Sequence, residues 1–123
     1  MGHSYEFIEA HRLLHIRYDG VLTDALLVSG YLEDQDAIKE LAPRAVIIDL
    51  SQVTKFAVQF ETNVGLAAGP SFPESLRLVF VAPGDVQFGM ARMFEIAADA
   101  TLGSRVSVVR TPEEAYASLE LSP

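Results

Sequence analysis

The chain contains no cysteine and no tryptophan. Without thiols there is no disulfide, no thiolate nucleophile and no cysteine-held metal or cluster. Basic residues are scarce: 9 Lys and Arg stand against 17 Asp and Glu, for a formal charge of −8. No basic stripe exists to release counterions from a phosphate backbone, so nucleic acid is not expected as a partner. The same charge opposes simple adsorption to anionic lipid, which leaves peripheral membrane contact at most. Every apolar run is far short of the ~20 residues that a membrane span requires, so no integral membrane association is expected. The first ten residues carry Glu6 and Glu9 and lack a basic start with an apolar core, so no leader is read and a cytoplasmic location is expected. Met1 to Ser4 receives no weight, His3 included.

Glycine-rich phosphate loops are missing as well. Neither Gly-x-Gly-x-x-Gly nor the Walker pattern occurs, and no cofactor is expected. All three histidines lie in the first 15 residues. His11 and His15 would share a metal only on a helix, and their surroundings read as strand or turn. They are therefore taken as surface histidines on a hairpin, with no metal site. A Ser-His-Asp triad would need a histidine near Asp49 and Ser51, and none is expected there. The Gly-x-Ser-x-Gly elbow is also absent.

What is present is a chain of 123 residues, half of them hydrophobic and 21% charged. That suits a single domain over residues 1–123 with one packed core. Its organising stretch is Ala45 to Val53, a largely β-branched run that reads as a central strand buried on both faces. Asp49-Leu50-Ser51 closes it at its carboxyl end, which in open α/β sheets borders the ligand crevice.

In order, Tyr5 to Asp19 reads as a hairpin turning at Ala10-His11-Arg12, with Gly20 ending its second strand. Thr23 caps a helix from Asp24 that breaks near Gly30 to Asp34, and a second piece runs from Asp36 to Leu41. After the central strand come a helix from Gln59 to Ala68, ended by Gly69-Pro70, and a strand from Leu76 to Val81. Val86 to Leu102 carries the strongest helical periodicity, with Ala91, Phe94, Ala98 and Leu102 inward and Gly103 as its cap. A strand over Arg105 to Arg110 leads to a helix over Pro112 to Leu119. Thr111, Pro112 and Glu114 mark that helix's start.

Three groups of residues are candidates for binding. Asp49, Ser51 and Thr54 lie at or beyond the central strand's end. The alternative for Asp49 and Ser51 is that they satisfy backbone donors locally. Asp85 precedes a helix N-terminus that would hold an anion, although its own carboxylate would cap the same donors. Phe56, Phe60, Phe72 and Phe88 are core residues, or a patch for a partner or apolar ligand if exposed together.

Asp49-Leu50-Ser51 before Val53 resembles the strand end of STAS domains. Gly20-Val21-Leu22-Thr23, the segment Gly89 to Glu95 and the stretch Val106 to Leu119 extend the likeness to the SpoIIAA-like family. That resemblance implies an α/β, STAS-type mixed sheet opening with an antiparallel hairpin, then alternating strands and helices. It also implies a non-catalytic, regulatory binding module of bacterial type. Family members that switch by phosphorylation carry a serine at the start of the helix after the central strand. The matching region here, Phe56-Ala57-Val58-Gln59, has no hydroxyl, and Gln52 replaces the usual glycine. A protein partner, with homodimerisation, is the leading expectation. The fold is related in shape to CRAL-TRIO lipid-binding domains, so carriage of an apolar small molecule or lipid between helices is the alternative. A small hydrolase using Asp49 or Asp85 ranks third.

Overall fold

The computed structural model describes residues 2–67, 73, 75–102 and 105–121, with the side chains of all of these except 60, 64, 67 and 100–102. The expectations for Gly69, Pro70, Phe72 and Gly103 lie outside the described residues. Strand β1 (His3–Ile8) and strand β2 (Leu13–Thr23) form the hairpin, joined by a 3-10 turn at Glu9–His11. Arg12 closes that turn in the left-handed region, at φ 49°. Helix α1 (Asp24–Leu41), strand β3 (Ala45–Ala57), helix α2 (Phe60–Ala67) and strand β4 (Arg77–Val81) follow, then helix α3 (Asp85–Leu102), strand β5 (Val106–Val109) and helix α4 (Pro112–Ser118).

The sheet runs β1-β2-β3-β4-β5, antiparallel between β1 and β2 and parallel thereafter. Each crossover therefore steps in the same direction. Right-handed connections then place α1, α2 and α3 on one face. Their inner residues, among them Ile38, Leu66, Ala91, Phe94 and Ala98, pack on Leu14, Ile16, Val46, Leu50, Leu78 and Phe80. The opposite face receives α4 alone among the described helices. Ala115 and Leu119 cover Leu13, Ala45, Ile47, Val79 and Val81. The sheet is thus thickly covered on one side and thinly on the other. A second consequence bears on the crevice expected at Asp49: ligand crevices of doubly wound sheets form where strand order reverses, and the order of the described strands does not reverse.

Several expected boundaries move. β2 does not end at Gly20 but continues to Thr23 beside β3, and β3 runs on to Ala57. The two stay paired through irregular steps: Arg17 to Asp19 matches Asp49 to Gln52, and Gly20 to Val21 matches Val53 to Lys55. In each step β3 carries one residue more than β2, so β3 bulges twice. Gly20 sits at φ +74°, a conformation glycine adopts without strain. Helix α1 is likewise unbroken. At Gly30 a Cβ would stand 2.6 Å from the Tyr18 hydroxyl, so glycine there makes room for a buried ring rather than ending the helix.

The local signals that were strongest are realised. Leu26 N–H donates to Thr23 Oγ1 at 3.1 Å. At α4, Thr111 and Glu114 form a reciprocal capping box with Pro112 at the first turn.

Candidate functional site

Asp49 lies on β3 where the first bulge begins, on the thinly covered face beside Ile47. Its Oδ1 accepts the Ser51 N–H at 2.9 Å. Parallel pairing of β2 with β3 brings the hairpin's His15 alongside, with Nε2 3.5 Å from Asp49 Oδ2. This overturns two expectations. His15 is buried, 9% exposed, rather than a surface residue, and an imidazole does stand beside the acidic end of the central strand. The separation of the two residues in sequence hid the contact. Only the β2–β3 register reveals it.

Burial pushes the Asp49 carboxyl up, but the His15 imidazole and the hydroxyl and N–H of Ser51 outweigh it and hold it at about 2. Arg17 Nη2 lies 3.4 Å from His15 Nδ1, and Arg17 Nη1 lies 3.8 Å from Glu6 Oε1. Arginine only donates, so one ring nitrogen, Nδ1, faces a guanidinium donor and the other, Nε2, faces the Asp49 carboxylate. At 3.5 Å that contact has the length of an ion pair.

The order of groups is Glu6, Arg17, His15, Asp49, Ser51. A nucleophilic triad needs the imidazole between hydroxyl and carboxylate. Here the carboxylate stands between them, and the other ring nitrogen faces a guanidinium. The ladder is built to fix side chains and does not activate Ser51. Among the described residues no three His, Asp or Glu side chains converge to hold a metal.

A groove lies farther along β3. It has a volume of about 400 Å³ and is lined by Thr54, Lys55 and Phe56 on the strand and by Asp85, Val86 and Gln87 at the start of α3. Three sequence candidates, Thr54, Phe56 and Asp85, meet here. The anticipated cap by Asp85 gives way to another residue. Gln87 Oε1 accepts the Gly84 N–H at 2.7 Å, while its Nε2 donates to Val53 O at 2.8 Å. Gln87 stands at the third helical position, where a long amide reaches back to the cap. Asp85 instead pairs with Arg110 Nη1 at 2.9 Å. The Arg110 guanidinium stacks 4.0 Å from the centre of the Phe88 ring, and Phe88 is half-buried against the core. Phe60 opens α2, and Phe72 lies outside the described residues, so neither is placed in this groove.

The second opening is a cavity of about 70 Å³ between the sheet and helices α1 to α3. Ile16, Leu50, Phe56 and Phe94 line it, and Tyr31, Asp34, Gln35 and Asn63 supply its polar groups. Above it sits a cluster that sequence reasoning discarded with His3. His3 Nε2 lies 2.7 Å from Asp34 Oδ1, the Tyr18 hydroxyl donates to Asp34 Oδ2 at 3.1 Å, and the His3 and Tyr18 rings are 4.9 Å apart. Burial drives the Asp34 carboxyl up, against the opposing pull of His3 and Tyr18. Burial also pushes Tyr31 up to about 12.

No protein-family model matches the chain, and no curated protein matches it by sequence. Solved structures do. The chain is similar to the Bacillus cell fate determinant SpoIIAA in its phosphorylated form, at 20% identity and TM-score 0.56, over 95% of this chain and 98% of that one. It is similar also to the anti-sigma factor antagonist SpoIIAA in its unphosphorylated form, at 15% identity and TM-score 0.54, over 98% and 99%. Strand pairing and these two superpositions agree: the chain has the SpoIIAA fold, of STAS type.

Proposed function

We propose that the chain is a non-catalytic binding module acting through protein contacts. The observation that carries this reading is the exposed groove between β3 and the first turn of α3, where Thr54, Phe56 and Asp85 meet. Its mixture of apolar surface, one cation and one anion suits a protein surface better than a reacting centre. The polar ladder at Asp49 supports the same reading, because its order leaves no activated nucleophile. The module works without a phosphoserine switch at the SpoIIAA-like position. Residues 56–59 have no hydroxyl, and Thr62, in the first turn of α2, is half-buried next to Glu61. A cytoplasmic location and a homodimeric state belong to this proposal.

A photo-crosslinking residue in place of Thr54 tests it. A discrete protein adduct is expected from Thr54, and none from the same residue in place of Ile96, which is 66% exposed on α3. Equal capture from both positions, or loss of an identified turnover in a His15→Ala variant, would remove the proposal.

The cavity under the helices favours a second reading, an apolar small molecule with a hydrogen-bond acceptor. Gln35 lines it and presents a buried carboxamide donor. At about 70 Å³ it is roughly half the size of a cavity of about 150 Å³ that admits benzene, so a lipid tail requires the helices to part. Native mass spectrometry of protein purified from cells separates the readings. A constant ligand-free mass is expected for the binding module, and a retained adduct for the carrier.

A further inference from the structure

Beyond Asp49, β3 has a paired strand on one side only among the described residues. Its pairing with β4 stops at Asp49 and Val81, whereas its pairing with β2 continues to Ala57. Backbone groups of residues 50–57 that face away from β2 therefore have no paired strand among the described residues, and such an edge is a template on which another chain adds a strand. Gln87 already uses part of that edge. Its carboxamide gives a proton to Val53 O and takes one from Gly84 N. One donor and one acceptor held in a plane are the hydrogen-bonding signature of a peptide group. A side-chain amide thus occupies a position that suits a main-chain amide.

We propose that an extended, net-basic segment of a protein partner adds as a strand along the free edge of β3, between Val53 and Ala57, and displaces the Gln87 carboxamide from Val53 O. The proposal rests on the protein-binding reading and specifies its mode. Main-chain bonds to the edge supply affinity, and alternate side chains of the segment meet the groove walls. Phe56 and Val86, the latter 68% exposed, offer apolar contact. Lys55 and Asp85 mark its two sides with opposite charge. The formal charge of −8 steers a basic segment toward the molecule. Gln87 acts as a latch: while it holds Val53 O the edge is partly closed, and a competing backbone N–H opens it.

The probe is a blocked peptide of alternating valine and threonine with a lysine at each end. It is titrated into the 15N-labelled protein to about 1 mM, the weak end of peptide docking. Expected are shift changes confined to residues 53–57 and 84–87, slower amide exchange at the β3 edge, and loss of binding when alternate peptide nitrogens are methylated. A Gln87→Met variant should bind about fivefold tighter, the factor that one ordinary hydrogen bond carries. Its spectrum away from the groove reports that it is folded. No shift change in either protein overturns the strand-addition mode, as does equal binding of the methylated peptide or self-association through this edge without peptide. Because the Thr54 crosslink is read independently, a failure here with a crosslinked partner in hand rejects the mode and leaves the protein-binding reading standing.

Discussion

Gly30 illustrates how one residue answers to two demands. In a helix interior it costs about 1 kcal/mol relative to alanine, so alanine should stabilise α1 if the helix were alone. The Tyr18 ring forbids this, since the added Cβ would meet its hydroxyl at 2.6 Å and its Cε1 at 2.8 Å. Tyr18 is 3% exposed and bonded to Asp34, so it has little room to yield. Gly30→Ala is expected to lose about 1–3 kcal/mol by overpacking. An unchanged or higher denaturation midpoint would refute the steric account.

His3 and Asp34 form the other residue-scale case. Both side chains are more than nine-tenths buried. Removing one member strands the other, so His3→Ala should cost roughly 3 kcal/mol, and Asp34→Asn less because an amide oxygen still accepts from the Tyr18 hydroxyl. Urea unfolding of the two variants decides the order. Asp49 supplies a pH signature of definite sign. Held at about 2 in the fold, it binds fewer protons there than in the unfolded chain between pH about 2 and 4. Its contribution, on the order of 2 kcal/mol, is present above that window and lost as pH falls through it. Asp34, pushed the other way, favours the fold at low pH and loses that contribution as pH rises past the ordinary carboxylate range. Asp49→Asn should flatten the acid limb of a stability-against-pH curve between pH about 2 and 4. An unaltered limb would show that Asp49 is not held low.

At the scale of elements, the ends that carry their own chemistry behave as their sequences indicate. Thr23 and Thr111 cap α1 and α4 because a hydroxyl two or three residues ahead of free N–H groups needs no distant partner. Thr111→Ala should therefore cost about 1 kcal/mol, read as a lower thermal midpoint with unchanged fold. The misjudged ends have distant causes. Strands β2 and β3 outrun Gly20 and Val53 because each supports the other through two bulges, a mutual effect that neither segment records alone.

For the whole molecule, the one-directional strand order matters most. It sends three helices to one face and leaves α4 as the cover over Leu13, Ile47, Val79 and Val81 on the other. Each such side chain gains about 1.5–3 kcal/mol on burial, comparable in sum to the 5–15 kcal/mol that holds a typical domain together. Removing residues 111–123 should expose this face, with strong binding of a hydrophobic dye and sedimentation as aggregates. An unaggregated truncation of undiminished stability would mean that α4 is dispensable. No helix among the described residues is long and apolar enough to cross a membrane.

The sequence by itself determined the alternation of strands and helices, the core stripe of α3 and the caps of α1 and α4, because periodicity and capping act over a few residues. Tertiary structure alone decided that His15 meets Asp49, that Tyr18 requires Gly30, and that Gln87 reaches Val53. Those contacts join residues 12 to 34 positions apart, and only strand register and crossover direction bring such residues within hydrogen-bonding or steric range.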